Sequence, residues 1–137
     1  MIEQKIMDSF NKQGLMQTLG AQIESISERE VILSCAFSDS LSQQHGYFHA
    51  GVMSSLADTA CGYAALSVMP KDADVLSVEF KINMLRPAKT NRILAIGTVF
   101  KSGRTLVICD GLITDAAQEK VFAKMQATMI VMRNENK

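Results

Sequence analysis

A single acid in an otherwise apolar stretch is the residue of this chain best suited to chemistry. Residues 43–66 read Gln-Gln-His-Gly-Tyr-Phe-His-Ala-Gly-Val-Met-Ser-Ser-Leu-Ala-Asp-Thr-Ala-Cys-Gly-Tyr-Ala-Ala-Leu. Asp58 is flanked there by Leu56, Ala57 and Ala60. Burying an ionised carboxylate is costly unless it is paired or used. The residues one turn to either side, Ser54, Ser55, Cys61 and Gly62, are small and leave room beside it. An acid in such a recess is a candidate general base or nucleophile. The loop before it leads into a helix start at Ala50-Gly51, whose unpaired N–H groups can receive a developing oxyanion. Gly51 lets backbone approach a ligand closely. Acid and donors together are the two halves of an acyl-transfer site.

Distance separates those halves. Asp58 lies eight residues beyond Ala50, and at ~1.5 Å of rise per residue that is ~12 Å along the helix. Reacting groups must come within ~3–3.5 Å. One helix does not bring both to one carbonyl carbon; two antiparallel copies do. If both halves act, the expectation is a homodimer with two shared sites. Other chemistries fit less well. His45 and His49 are four apart, with Asp58 as a third possible metal ligand, but Gly46 between them argues for loop rather than a helical ligand face. No metal is expected. There is no phosphate-binding glycine loop and no Gly-x-Ser-x-Gly elbow.

The elements that must position these groups follow from periodicity. Ile2, Ile6, Phe10, Leu15 and Leu19 recur at roughly helical spacing, predicting one short N-terminal helix ending near Gly14 or Gly20. Segments 21–27 and 30–37 read as strands about a polar turn, 38–48 as loop, and 50–67 as the long helix, closed by Pro70. In 75–84, Val78, Phe80, Ile82 and Met84 alternate with Ser77, Glu79, Lys81 and Asn83, a strand with two unlike faces. Strands over 91–100 and 105–114 flank Lys101-Ser102-Gly103-Arg104, a turn with glycine where positive φ is expected. A last strand covers 120–132. A long apolar helix must be covered. A curved antiparallel sheet of five or six strands wrapped around it, an α+β architecture, is the economical solution.

The 137 residues allow one domain, 1–137, with 1–19 as an N-terminal helical segment. Net charge is zero, which argues against nucleic acid as a partner. No apolar run reaches the ~18 residues of a membrane span, and residues 1–10, with acids and no continuous apolar stretch, are not expected to act as a signal peptide. Three cysteines without Cys-x-x-Cys spacing are expected as reduced core thiols in a cytoplasmic protein.

His49-Ala50-Gly51-Val52, Leu56-Ala57-Asp58 and Gly62-Tyr63-Ala64-Ala65 together resemble the hotdog-fold acyl-CoA thioesterases of the PaaI-like group. That group enters its central helix through a His-Gly-Gly loop, with the catalytic acid nine residues after the His, the spacing of His49 and Asp58. Residues 77–89 and 101–105 extend the likeness, which covers roughly 20–132. The resemblance implies that Asp58 activates water against a thioester carbonyl or attacks it. The Ala50 N–H would form the oxyanion hole, and Gln43, where relatives often carry Asn, would hydrogen-bond the carbonyl or the water from the opposite subunit. Ser77 would orient water and His49 support the loop. Lys89, Lys101 and Arg104 are candidates for coenzyme A phosphates, although solvated turn charges explain them equally well. Met53, Tyr63, Met84 and Leu85 would line an acyl slot gated by Tyr47 and Phe48. No cofactor is implied, coenzyme A being part of the substrate. A homodimer, pairing further into a homotetramer, is implied.

Ala50 departs from His-Gly-Gly, and a positive φ there would be strained. Gln43 places its amide about an ångström further out than Asn. Two other activities use this fold: a non-catalytic acyl-CoA-sensing module, and a dehydratase or hydratase, whose His-acid motifs have no convincing match here.

Overall fold

The structure, a computed structural model, describes residues 2–133; Met1 and 134–137, part of the domain expected over 1–137, lie outside the described residues. In chain order it comprises α1 (Ile2–Asn11), α2 (Gly14–Leu19), β1 (Gln22–Ser27), β2 (Glu30–Ala36), a 3-10 turn (Asp39–Leu41), α3 (Ala50–Leu66), β3 (Asp74–Met84), β4 (Arg92–Ser102), β5 (Leu106–Asp115) and β6 (Val121–Met132). The strands form one sheet in the order β1-β2-β4-β5-β6-β3, every neighbouring pair antiparallel. α3 packs against β2 through β6. It is apolar on nearly all sides, as a helix enclosed by a sheet must be. Its small residues let the sheet come close. A Cβ added at Gly97 of β4 would lie 2.4 Å from the Ala60 backbone, so only glycine fits that crossing. The three cysteines are buried and unpaired.

The N-terminal segment is two helices rather than one. Gln13 adopts an extended conformation (φ −81°, ψ 106°) that breaks the helical run. Gly14 therefore begins α2 instead of ending α1, and Gly20, in the left-handed conformation, ends α2. Ile6, Phe10, Met16 and Leu19 bury their side chains in the main core. The Lys5 Nζ donates to the carbonyls of Lys71 and Ala73, tying α1 to the segment that leads into β3. At the β4–β5 turn, Gly103 does not take the expected positive φ. Glycine is required there by closeness, since a Cβ would sit 2.7 Å from the Leu106 carbonyl oxygen.

β3 departs from the two-faced reading. It lies at the sheet's edge, paired with β6 on one side only; Val75 and Ile82 pack partly against the core, while its other apolar residues stay exposed. Leu76 is 56%, Val78 52% and Phe80 43% exposed. A bulge also interrupts it. Ser77 pairs with Met129 and Phe80 with Ala127, so one residue is extra on β3 between them. Met129 and Ala127 are both buried beneath α3. The bulge thus turns Ser77 onto the same helix-facing side as Phe80, whereas strict alternation puts them on opposite faces.

Candidate functional site

The sequence-predicted residues fall into two separate clusters on one chain. The first surrounds Asp58, half-buried in the third turn of α3. The bulge in β3 aims Ser77 at it, and the Ser77 hydroxyl donates to Asp58 Oδ1 at 2.6 Å. Burial pushes the Asp58 carboxyl above its ordinary value, and the Ser77 hydrogen bond opposes part of that rise. Beside them is a cavity of about 210 Å³ lined in part by Asp58, Gly62, Tyr63, Asp74 and Ser77. Of the small residues expected to flank the acid, Gly62 opens this cavity. Ser54 and Ser55 instead donate back to the Ala50 and Gly51 carbonyls of their own helix. Tyr63 is buried, and its phenol oxygen accepts from Gln13 Nε2 at 2.7 Å and lies 2.9 Å from Ser9 Oγ.

The second cluster is the loop at the start of α3. His49 is the N-cap, its Nδ1 accepting from the Gly51 N–H at 2.7 Å. A Cβ on Gly51 would lie 3.0 Å from that nitrogen, so the glycine serves the cap. Ala50 is the first helical residue and has no positive φ; the strain anticipated for Ala in place of Gly is absent. Its N–H is one of the four that an α-helix leaves without an intrahelical partner. Gln43 Oε1 accepts from the backbone N–H groups of His45 (2.7 Å) and Tyr47 (3.1 Å). With the oxygen thus engaged, the Gln43 amide NH₂ is the end left to donate to a ligand. A cavity of about 560 Å³ runs alongside, lined by Gln43, Tyr47, His49, Ala50, Met53 and the segment 84–88 among others. Phe48 lines it too but is only 2% exposed, held edge-on against Phe37 at 5.2 Å. It is part of the floor, not a gate. Met53, Met84 and Leu85 belong to this cavity and Tyr63 to the other, so the four do not form one slot within a chain.

Metal-ligand geometry is not assembled: His45 and His49 face the loop cavity and Asp58 the other. Among the described residues no three His, Cys, Asp or Glu side chains converge on one point. The candidate cations are dispersed as well. Lys101 and Arg104 flank the β4–β5 turn, where Leu106 pairs with Ile130 and Ile130 with Leu76. Lys89 follows Met84 at the other end of β3, on the order of 25 Å away at ~3.3 Å per residue. Residues not singled out from sequence also line the sites: Ser9, Gln13, Thr59 and Asp74 beside Asp58, and Arg86 beside Ala50. Of the 84–88 wall, Met84 and Leu85 are the residues the resemblance had placed at an acyl slot. Nothing local in the sequence ties Ser9 or Gln13 to Tyr63, some fifty residues on. No helix among the described residues is long and apolar enough to cross a membrane.

A central helix held in an antiparallel sheet, with an acid on the helix and a donor loop at its start, defines the hotdog class of fold. The thioesterase superfamily model matches residues 45–122, and the chain belongs to that superfamily. It is similar to a thioesterase family protein from Silicibacter pomeroyi, 40% identical over 98% of this chain and all of that one, with a TM-score of 0.93. The PaaI protein from the phenylacetic acid degradation operon of E. coli has the same fold: TM-score 0.85, 23% identity, 94% of this chain and 91% of that one. A 1,4-dihydroxy-2-naphthoyl-CoA hydrolase of Listeria monocytogenes is 25% identical over 88% of this chain and 97% of its own length.

Proposed function

We propose that this chain hydrolyses acyl-CoA thioesters to the free acid and coenzyme A, at two sites shared across a homodimer. The observation that carries this reading is the division of the machinery. Asp58 and Ser77 line one cavity, and Gln43 and the free start of α3 line another. Neither half is sufficient alone. The open edge of β3, with Leu76, Val78 and Phe80 exposed, offers the surface on which a second copy joins them. In an antiparallel edge-to-edge pairing, the segment after Met84 of one chain lies beside Leu76-Ser77 of the other. That brings the loop cavity of one copy to Asp58 of the next. It also brings Lys89 and Arg86 toward the second copy's Lys101 and Arg104, a set of cations suited to the phosphates of coenzyme A.

In the shared site the thioester oxygen is placed at the Ala50 N–H and the Gln43 amide, which polarise the carbonyl and hold the oxyanion. Asp58, oriented by Ser77, takes a proton from water as the water oxygen bonds to the carbonyl carbon. Collapse of the tetrahedral intermediate breaks the C–S bond, and the leaving thiolate of coenzyme A recovers the proton. Direct attack by the Asp58 carboxylate, through an anhydride that water then opens, uses the same placement. The 1,4-dihydroxy-2-naphthoyl-CoA hydrolase among the relatives supports a coenzyme A thioester as substrate. Medium-chain fatty and aryl-acyl groups both suit the apolar walls.

A thiol-release assay over short, medium, long and aryl-acyl-CoA thioesters tests the reading. Release that disappears in Asp58→Ala supports it. Tight acyl-CoA binding with no release across the panel would overturn it in favour of a non-catalytic binding module.

A further inference from the structure

The two N-terminal helices close off the cavity beside Asp58, and they do so with polar groups. Ser9 at the end of α1 and Gln13 in the break before α2 both reach the Tyr63 hydroxyl, at 2.9 and 2.7 Å. All three residues line the cavity that Asp58 lines. Tyr63 itself is held from behind, its ring tilted against Phe10 with centroids 6.3 Å apart, and it is only 3% exposed. At about 210 Å³ the cavity falls below the ~300 Å³ at which whole-ligand pockets begin, so it suits a small portion of a substrate. The far wall is therefore a rigid cluster of hydroxyl and amide groups on the segment that sequence alone makes a plain amphipathic helix.

We infer that Ser9, Gln13 and Tyr63 are specificity-determining residues, selecting acyl groups that carry a hydroxyl oxygen at the end remote from the thioester. This rests on the thioesterase reading above. Ser9 and Gln13 retain hydrogen-bonding capacity beyond their bonds to Tyr63: Ser9 a further acceptor site, Gln13 its Oε1 and a second N–H. A methyl terminus pressed against them leaves those donors and acceptors without a partner, whereas a hydroxyl both donates to and accepts from them. A carboxylate terminus is disfavoured, because Asp58 and Asp74 line the same cavity and like charges at close range repel. Gly62, one turn after Asp58, sets the depth. A Cβ there meets no atom within 4 Å, so a larger side chain enters the cavity rather than the protein interior.

The test uses one chain length with three termini: hexanoyl-CoA, 6-hydroxyhexanoyl-CoA and adipoyl-CoA, with kcat/KM measured by thiol release. The expected order is hydroxyl first, methyl roughly tenfold lower, carboxylate lowest. Tyr63→Phe and Gln13→Leu bring the hydroxyl-to-methyl ratio toward one. A merely structural role for these residues lowers all three substrates in parallel and leaves the ratio unchanged, which would overturn the inference. Gly62→Leu lowers all three relative to acetyl-CoA without lowering the melting temperature, since glycine is the poorer helix former. A wild-type ratio at or below one overturns the inference, as does failure to hydrolyse all three while other acyl-CoAs release thiol. Only the absence of release from every acyl-CoA overturns the thioesterase reading itself.

Discussion

Ser77 and Asp58 meet across the helix–sheet boundary at 2.6 Å, the serine donating from a strand bulge to a half-buried carboxylate. Burial raises the affinity of this carboxyl for a proton, and the serine lowers it again without removing the rise. A base held in that way binds a proton more strongly than an exposed aspartate. It also has a fixed orientation. Both properties are what the activation of a water requires.

Asp58→Asn keeps the Ser77 hydrogen bond, because the amide oxygen still accepts, while removing the base. Turnover should fall by about 10²–10⁴-fold with circular dichroism unchanged. Near-wild-type kcat in this variant removes Asp58 from the chemistry.

The same substitution should raise thermal stability at neutral pH. The folded-state pKa of Asp58 lies above its unfolded value. Its contribution to stability is therefore present below the unfolded pKa and lost as pH rises through the folded one. At neutral pH the wild type carries this penalty and the Asn variant does not. Melting curves from neutral pH down into the ordinary carboxylate range check the sign. The advantage of Asp58→Asn should shrink as the pH falls.

Ser77→Ala removes the hydrogen bond that lowers the Asp58 pKa. The acidic limb of the kcat/KM profile should move to higher pH. A limb that stays in place, or moves down, means that Asp58 does not govern it.

His49→Ala leaves the Gly51 N–H without its cap. The expected cost is about 1 kcal/mol of stability by analogy with other N-caps, read from urea unfolding midpoints. A loss of activity should accompany it, because the same turn presents the Ala50 N–H. Gly51→Ala should reproduce both effects by crowding His49 Nδ1.

Much of this organisation was legible in the sequence, and the exceptions have physical causes. The helix over 50–66 and the strand sequence were visible because apolar periodicity is a local property. So was the isolation of Asp58 among Leu56, Ala57 and Ala60. The resemblance implied only a water-orienting role for Ser77, and its hydrogen bond to Asp58 was not legible. Alternation puts Ser77 on the face opposite Phe80, and no local pattern announces the bulge that reverses it. The alternating apolar residues of β3 promised a buried face, yet of these only Ile82 packs against the core, and Val78, Phe80 and Met84 stay exposed on a strand at the sheet's edge. Ala50 suggested strain only because a positive φ was carried over with the His-Gly-Gly pattern; the helix begins one residue after His49 and needs none. The Ser9–Tyr63 and Gln13–Tyr63 bonds join positions brought together only by the docking of α1 and α2.

The central claim is that Asp58 of one copy works with the loop of another, and subunit mixing tests it most directly. Asp58→Asn and Gln43→Ala chains, co-expressed with different tags and purified as a mixed dimer, place both lesions in one site and leave the other intact. The predicted activity is about half that of the wild-type dimer, far above the mean of the two parent variants. A mixed dimer no more active than that mean, or a fully active monomer, would contradict the shared site.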